Sequence, residues 1–452
     1  MALDSAKTSS GNVQGITRIA VTGFKSLATK TDLEIRPLTV LAGANSSGKS
    51  SLMQPLLLMK QTLESDVDPA GPFLLSGPYP NTKYTEAAQF LSRMGGHASP
   101  QLVLDFRFGG DWTAGLTYAI DEEGSFELVE TRGSIGPTEN KWTISSGSTS
   151  TELKSLFGKI WFPLSWKESE ESITLSAVRT KFYHSIRAST PELQPAGLTP
   201  NVMSEIKSLT AEVSRLLYVP GLRGNQDREW VLTDIPTQGA FKGPFERYVP
   251  SLIDYWRRTN KAKQNLELYY ALNDVLELSQ GIATVRLNES QVAVRVKRTI
   301  HSIIGDYVDI ADVGLAVSTV LPVLVALIQA DPGQLVYIEQ PELHLHPRAQ
   351  WKLAQLLAQA ANGGVRLVIE THSSLLLRGI LTEVAESKIA NDKVILHWFE
   401  RDKETGISKV HPAIPDSAGR VGDWPEDFSD VELKSDNQYL DAAEKKLFAE
   451  AK

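Results

Sequence analysis

The sequence predicts an α/β fold with a mostly parallel sheet, an antiparallel β element near the N-terminus and an α+β insertion. Three observations support this prediction. A glycine-rich octapeptide, residues 43–50, lies between a short apolar run and an apolar-periodic segment, which is the order strand, loop, helix. Residues 301–400 alternate helical and strand patterns, as the strands of a parallel sheet require. Residues 16–21 and 32–35 indicate two strands that precede the octapeptide.

The octapeptide has the pattern of a phosphate-binding P-loop, Gly, four residues, then Gly-Lys-Ser. In such a loop, backbone N–H groups surround phosphate oxygens and the helix N-terminus adds partial positive charge. Lys49 is expected to reach the β- and γ-phosphates of a nucleotide, and Ser50 to hold Mg²⁺. The residues predicted to bind the nucleotide here are Gly43, Asn45, Ser46, Ser47, Gly48, Lys49, Ser50 and Ser51.

Composition narrows the class of protein. The chain has 452 residues, which is enough for two to three domains, and its net charge of −8 argues against a generally basic nucleic-acid coat. It contains no cysteine, which excludes disulfides, thiol catalysis and cysteine–zinc sites and fits a cytoplasmic setting. Residues 314–330 form the most apolar stretch, which is shorter than the roughly 20 residues of a membrane span, so no membrane association is expected.

Pattern and composition divide the chain into five segments. Helical patterns stand at residues 204–217 and 252–278. The predicted segments are a flexible N-terminus (1–15), an N-terminal lobe with the P-loop (16–62), a mixed α and β middle region that offers a dimer or partner surface (63–300), a C-terminal lobe (301–400) and a tail with a hairpin and a helix (401–452).

A second motif supplies the acidic groups that nucleotide hydrolysis needs. Residues 335–338 are apolar and are followed by Glu339, which describes a central strand that presents a carboxylate at the ligand-binding edge of a parallel sheet. Glu339 is therefore a predicted metal residue. A second apolar run, 365–369, ends in Glu370-Thr371-His372-Ser373, and His372 is expected to touch a γ-phosphate and sense its loss.

The histidines admit another interpretation. His344, His346 and His372 could form a zinc site or be core histidines, but their spacing fits no helical metal pair. We therefore expect His344 and His346 to hold the turn after the strand. Only His372 is predicted to be functional.

These motifs resemble those of the ABC-type ATPases of the OLD class (overcoming lysogenization defect), which are relatives of the SMC ATPases. The resemblance rests on the loop Gly-x-Asn-x-x-Gly-Lys-Ser, the run at 339–347 and the Thr-His-Ser strand end, and it extends to residues 218–223, 312–322 and 422–425. It is strongest to the stand-alone bacterial branch that lacks a fused nuclease and often occurs in anti-phage defence operons. The resemblance implies an ABC-type head of the P-loop NTPase fold.

The resemblance also implies a mechanism. In this class two heads dimerise head-to-tail around two ATP molecules, so a homodimer or a higher even oligomer is expected. Ser318, in the signature-like segment, would face the nucleotide of the partner head. Without the resemblance Ser318 would be interpreted only as a helix cap.

The chain departs from the family at its acidic pair, because Glu339-Gln340 replaces the usual Asp-Glu. Gln340 cannot accept a proton, although an amide can orient a water. The predicted catalytic residues are Lys49, Glu339, Gln340, Glu342 and His372. We expect slow hydrolysis with Glu342 or Glu370 as the general base. The alternative is that Glu342 caps the following turn while Gln340 positions the water.

The resulting expectation is an ATPase that uses ATP and Mg²⁺ and controls a separate effector, a nuclease or a toxin, in anti-phage defence. One alternative is a nucleotide-stabilised scaffold that hydrolyses little ATP, and another is a DNA-repair ATPase. For DNA, the alternating strand at 292–298 places Arg295 and Lys297 on one basic face. A basic edge strand that discourages strand pairing is the other interpretation of that face.

Overall fold

The computed structural model describes residues 15–94, 97–98, 101–109, 112–135, 140–157, 173–189, 196–198, 204–223, 227–236, 239–259, 261–276, 282–297, 307–422 and 437–442. Within these ranges the structure has 21 β-strands and eight α-helices, besides five short 3-10 helices and a helical segment at 437–442. The predicted turn at 422–425 lies, apart from Gly422, outside the described residues, as does the N-terminal segment before Gly15.

The central sheet is mostly parallel, which confirms the predicted fold class. Its strand order is β13-β18-β19-β3-β20-β21, and only β21 runs antiparallel to its neighbour. The strands β3, β18 and β19 are buried throughout, because parallel sheets are covered on both faces. In chain order these strands are β3 (Leu38–Gly43), β13 (Leu217–Val219), β18 (Leu335–Glu339), β19 (Arg366–Glu370), β20 (Val394–Arg401) and β21 (Ser408–Ala413).

A second, antiparallel sheet has the order β2-β1-β6-β7-β8-β9. Its N-terminal pair confirms the predicted antiparallel element. Its members are β1 (Ile16–Thr22), β2 (Thr31–Glu34), β6 (Gln101–Phe108), β7 (Thr113–Ile120), β8 (Phe126–Ile135) and β9 (Asn140–Ser145). The other strands are β4 (Arg93–Met94), β5 (His97–Ala98), β10 (Thr174–Thr180), β11 (Tyr183–Ser189), β12 (Ala196–Leu198), β14 (Trp230–Val231), β15 (Ile282–Arg286), β16 (Gln291–Lys297) and β17 (Tyr307–Asp309).

The helices cover the two faces of the parallel sheet. The helices are α1 (Lys49–Glu64), α2 (Ser150–Phe157), α3 (Ser204–Arg215), α4 (Val249–Arg258), α5 (Ala262–Leu276), α6 (Leu315–Gln329), α7 (Pro347–Asn362) and α8 (Ser374–Ala385). Alternate strand residues enter different cores: Tyr337 and Val368 pack with α1 and the antiparallel sheet, whereas Ile338 and Ile369 pack with α4 to α8. Every helix in the described part of the chain is too short or too polar to cross a membrane.

The middle segment, 63–300, contributes to both sheets: it supplies β6 to β9 of the antiparallel sheet and β13, the edge of the parallel sheet. The single helical pattern predicted at 252–278 is wrong, because α4 and α5 are separate helices. The Thr259 N–H closes α4 on the Tyr255 carbonyl, and the Asn265 N–H begins α5 on the Lys261 carbonyl.

The edge-strand interpretation of the basic face is also wrong. The strand β16 pairs with β15 on one side and with β14 and β17 on the other, so it is interior to its sheet. Arg295 stands opposite Asp309 in this pairing.

Candidate functional site

The P-loop connects the buried strand β3 to helix α1. Gly43 and Gly48 have φ angles of 139° and 102°, which favour glycine. A Cβ atom on Gly43 would collide with the carbonyl oxygen of Phe399 on β20. No side chain of the described residues caps α1, so the first N–H groups of this helix remain available to an anion.

Lys49, the first residue of α1, folds back over the loop. Its Nζ donates to the carbonyl oxygens of Gly43 at 3.0 Å and Ala44 at 2.7 Å. Burial lowers the pKa of Lys49 to about 8, and the nearby Glu370 carboxylate opposes this shift. The ammonium is thus placed where phosphate oxygens could replace the carbonyls as its partners.

A cavity of about 730 Å³ opens over the P-loop. Of the predicted site residues, the structure brings together around it the loop residues 45–51, Gln340 and His372. Gly43, Glu339, Glu342 and Ser318 do not line it. Glu370, the other candidate general base, also lines it. Sequence reasoning assigned no role to the remaining lining residues, which are Lys25, Ser26, Gln54, Gln89, Leu91, Arg93, Arg401, Thr405 and Gly406.

Glu339 and Glu370 are register partners at the carboxyl ends of the neighbouring strands β18 and β19. The Ser50 hydroxyl donates to Glu370 Oε1 at 2.9 Å. The Tyr337 hydroxyl lies between the two carboxylates, 3.0 Å from Glu370 and 3.1 Å from Glu339. Burial, together with the charge of Glu339, raises the pKa of Glu370.

The Glu342 carboxylate binds the segment after β19 that carries His372. Its Oε1 accepts hydrogen bonds from the Thr371 hydroxyl at 2.7 Å and from the His372 backbone N–H at 3.0 Å. Its Oε2 is buried and has no hydrogen-bond partner among the described residues. Burial raises the pKa of Glu342, and burial together with the Lys49 charge lowers the pKa of His372.

Gln340 follows β18 in a left-handed conformation with a φ of 44°. Its N–H donates to the Glu370 carbonyl at 2.7 Å, and its carbonyl accepts from Arg223 at 2.7 Å. The buried Arg223 guanidinium also donates to the carbonyls of Pro220, Thr319 and Glu339. Burial lowers the pKa of Arg223 to about 10, against the opposing charge of Glu342. Gln340 thus lines the cavity while Arg223 binds its backbone carbonyl.

Ser318 lies in the first turn of α6 but does not cap it. Gly314 is the N-cap residue, so the helix-cap interpretation of Ser318 is wrong. The Ser318 hydroxyl is buried and donates to the Leu315 carbonyl at 3.0 Å. The exposed residues at this helix end are Gly314 and Leu315.

His346 caps α7, because its Nδ1 accepts from the Arg348 N–H at 3.3 Å, and His344 adopts a left-handed turn conformation with a φ of 63°. Within the described ranges, no cluster of three or more histidine, aspartate or glutamate residues has the arrangement of a metal site.

Comparison with known proteins identifies the family. Residues 38–378, about three quarters of the chain, match the model of AAA_21, described as "AAA domain, putative AbiEii toxin, Type IV TA system". The chain belongs to the AAA_21 family. No curated protein matches it.

Three SMC head structures are similar to this AAA_21 chain. The SmcHead bound to the C-winged helix domain of ScpA is 10% identical, with 89% of this chain and 99% of that chain covered and a TM-score of 0.49. The SMC head domain from Thermotoga maritima is 9% identical, with 88% and 98% covered and a TM-score of 0.39. The Smc head domain with an extended coiled coil from Pyrococcus furiosus is 10% identical, with 88% and 96% covered and a TM-score of 0.42.

Two serines distant in sequence support the P-loop of this AAA_21 chain. The Ser408 hydroxyl on β21 contacts the Ser47 carbonyl at 2.5 Å and the Ser26 hydroxyl at 2.7 Å. The Ser408 N–H donates to the Ser26 carbonyl at 2.8 Å. No local pattern signals this contact, because it joins the start of β21 to two loops that are distant from it in sequence.

Proposed function

We propose that this chain is an ABC/OLD-like ATPase that binds ATP and Mg²⁺ and hydrolyses ATP slowly in the cytoplasm. One observation carries the proposal: Lys49, Ser50, Gln340, Glu370 and His372 line a single cavity over the P-loop. Membership of a family with a P-loop ATPase-type domain supports it. A cation, an amide, a carboxylate and an imidazole around a phosphate cradle suit phosphoryl transfer to water.

The residues present fit magnesium. The Ser50 hydroxyl and a carboxylate at the end of β18 or β19, either Glu339 or Glu370, offer the hard oxygen ligands that Mg²⁺ prefers. When bound, the ion would neutralise charge on the β- and γ-phosphates. Lys49 would then exchange its loop carbonyls for phosphate oxygens.

For hydrolysis we assign the water-orienting role to Gln340, which lines the cavity. Glu342 is a weaker candidate for the general base than the sequence suggested, because its carboxylate binds Thr371 and the His372 backbone and does not line the cavity. Its proposed role is to position His372, which would contact the γ-phosphate. A site in which an amide orients the water supports slow turnover.

We further propose that ATP assembles two heads into a homodimer or a higher even oligomer, with the start of α6 facing the partner's nucleotide. The exposed N-terminal end of α6 at Gly314 and Leu315 supports this arrangement. Because Ser318 is buried, its contact with the partner's nucleotide would require its hydroxyl to leave the Leu315 carbonyl. The proposed output is control of a separate nuclease or toxin in anti-phage defence, and the family description names a toxin–antitoxin system.

Light scattering of the purified chain tests the assembly. Addition of ATP and Mg²⁺ should double the molar mass or raise it to a higher even multiple, and the Lys49→Ala variant should not respond. A constant mass in both proteins would contradict the dimer. The scaffold alternative predicts the same assembly without phosphate release, and the DNA-repair alternative predicts tight, salt-dependent DNA binding by the chain alone.

A further inference from the structure

Two carboxylates compete for the magnesium ion of the proposed site. Glu339 and Glu370 occupy equivalent positions at the ends of neighbouring parallel strands, and their α-carbons are paired in register. Both side chains are buried, with 6% and 5% of their surfaces exposed. Position and burial therefore do not distinguish them, but their hydrogen-bond partners do.

Protein hydrogen-bond donors already occupy both oxygens of the Glu339 carboxylate. The Asn81 amide donates to both of its oxygens at 3.0 Å, the Tyr218 hydroxyl donates to Oε1 at 3.0 Å, and the Gly221 N–H donates to Oε2 at 2.9 Å. A carboxylate has about four lone-pair sites. These donors occupy them, so a metal would have to displace at least one protein partner.

The carboxylate of Glu370 faces the nucleotide cavity instead. It lines the cavity beside Ser50, and its Oε1 lies 2.9 Å from the Ser50 hydroxyl oxygen. Two oxygen ligands in neighbouring positions of an octahedral Mg²⁺ with bonds of about 2.1 Å lie about 3.0 Å apart. The observed separation therefore suits two ligands of one ion as well as it suits a hydrogen bond.

We propose that Glu370, rather than Glu339, is the protein carboxylate of the magnesium site, where it acts together with Ser50. This inference rests on the proposed function, since it assumes that the P-loop binds a nucleotide with Mg²⁺. Glu339 is then a positioning residue. Its carboxylate binds the Tyr218–Gly221 segment and Asn81 to the end of β18 and so shapes the wall of the site.

The local charge balance is consistent with this assignment. The Tyr337 hydroxyl has one proton and lies within hydrogen-bond distance of both carboxylates, so it can donate to only one at a time. Among the described residues, Glu339 has three other donors, whereas Glu370 has only the Ser50 hydroxyl. A divalent cation beside Glu370 would offset the repulsion between the two buried anions.

Metal-dependent nucleotide binding tests the proposal without relying on turnover. The affinity for a fluorescent N-methylanthraniloyl-ATP is measured with Mg²⁺ and with EDTA, and the ratio of the two is compared between Glu370→Gln and its isosteric counterpart Glu339→Gln. In EDTA, Glu370→Gln should bind the nucleotide as tightly as the wild type does. The increase in nucleotide affinity that Mg²⁺ confers should be at least about tenfold smaller in this variant than in the wild type. Glu339→Gln should keep a ratio close to that of the wild type.

The opposite pattern, or equal loss in both variants, would overturn the assignment. If a glutamine variant does not fold, Glu370→Asp and Glu339→Asp replace the pair: the first should weaken the Mg²⁺ dependence and the second should not. Electron paramagnetic resonance measures the Mn²⁺ affinity of the nucleotide complex. This affinity should fall in the Glu370 variant and stay close to the wild-type value in the Glu339 variant. Failure of the wild type to bind the nucleotide at all would instead refute the proposed function.

Discussion

The guanidinium of Arg223 donates to the backbone carbonyl of Gln340 at 2.7 Å. The same side chain donates to the Thr319 carbonyl in α6 at 2.6 Å and to the Glu339 carbonyl at 2.6 Å. A buried arginine therefore joins the helix of the signature-like segment to the turn that places Gln340 in the cavity. The Thr319 hydroxyl of α6 also donates to the Leu343 carbonyl at 3.2 Å, so two contacts join α6 to this turn.

We expect Arg223→Lys to lower kcat more than it raises KM. A lysine ammonium cannot reproduce the planar fork that serves four carbonyls, so the left-handed turn at Gln340 loses its support. In urea unfolding, the free energy of unfolding should fall by roughly 3 kcal/mol, because hydrogen bonds to charged groups contribute about 1.5–3 kcal/mol each. The matched control is Arg228→Lys. Arg228 forms an exposed salt bridge with Asp312, so its replacement should leave kcat and the free energy of unfolding unchanged. An unchanged kcat in Arg223→Lys would refute this role.

Glu342 offers a test of its two proposed roles. We expect Glu342→Gln to retain turnover within a few-fold, because the amide oxygen still accepts from Thr371 and from the His372 N–H. Glu342→Ala should lower turnover markedly, because both donors lose their partner. Steady-state phosphate release measures both variants. A Glu342→Gln variant as inactive as Glu342→Ala would restore Glu342 as the general base.

Nucleotide affinity should depend on pH through Lys49. The pKa of Lys49 is lowered to about 8 in the protein, and bound phosphate favours the charged ammonium, so binding takes up a proton above that pH. Affinity should therefore fall by about tenfold between pH 7 and pH 9. Titration of the fluorescent nucleotide at each pH measures this, with Lys49→Ala as the control. An equal slope in the variant would show that another group titrates.

His397 on β20 should make the fold sensitive to acid. Burial lowers its pKa to about 4, and its Nε2 lies 2.9 Å from the Glu34 carbonyl. The folded pKa lies below the unfolded value of about 6.5, so the unfolded chain binds more protons between these values and stability falls as the pH drops.

This group should contribute up to about 1.4 kcal/mol of lost stability per pH unit between pH 6 and pH 4. Denaturant unfolding of His397→Gln should show a shallower decline in the free energy of unfolding than the wild type. The exposed His411 on the neighbouring strand provides the control, and His411→Gln should leave the slope unchanged. Identical slopes for all three proteins would exclude His397.

The sequence predicted those parts of the fold whose hydrophobic pattern lies in one contiguous stretch of residues. The strand before the P-loop, the helix after it and the strands ending at Glu339 and Glu370 each follow from a contiguous pattern, and the predicted parallel sheet follows from their alternation. The order of strands within the sheet had no such signal. It places β19 beside the P-loop strand, and therefore puts Glu370 rather than Glu339 next to Ser50.

The parts of the site that sequence reasoning missed depend on contacts between distant segments. The resemblance includes the segment 218–223 but assigns no role to Arg223, and Ser408 lies far from the P-loop in sequence. The roles of both residues arise from contacts with backbone carbonyls, which carry no sequence signature. The burial of Ser318 depends on where α6 begins, and helix boundaries are poorly defined by periodicity alone. The break between α4 and α5 lies in the polar stretch 257–265, whose composition fits an exposed helix face as well as a turn.

Steady-state phosphate release by the purified chain, beside Lys49→Ala, tests the central claim most directly. The account predicts slow, Mg²⁺-dependent turnover in the wild type and none in Lys49→Ala, because the variant lacks the cation that stabilises charge on the β- and γ-phosphates. Turnover that persists in Lys49→Ala, or its absence in a wild-type protein that binds ATP tightly, would contradict the ATPase assignment.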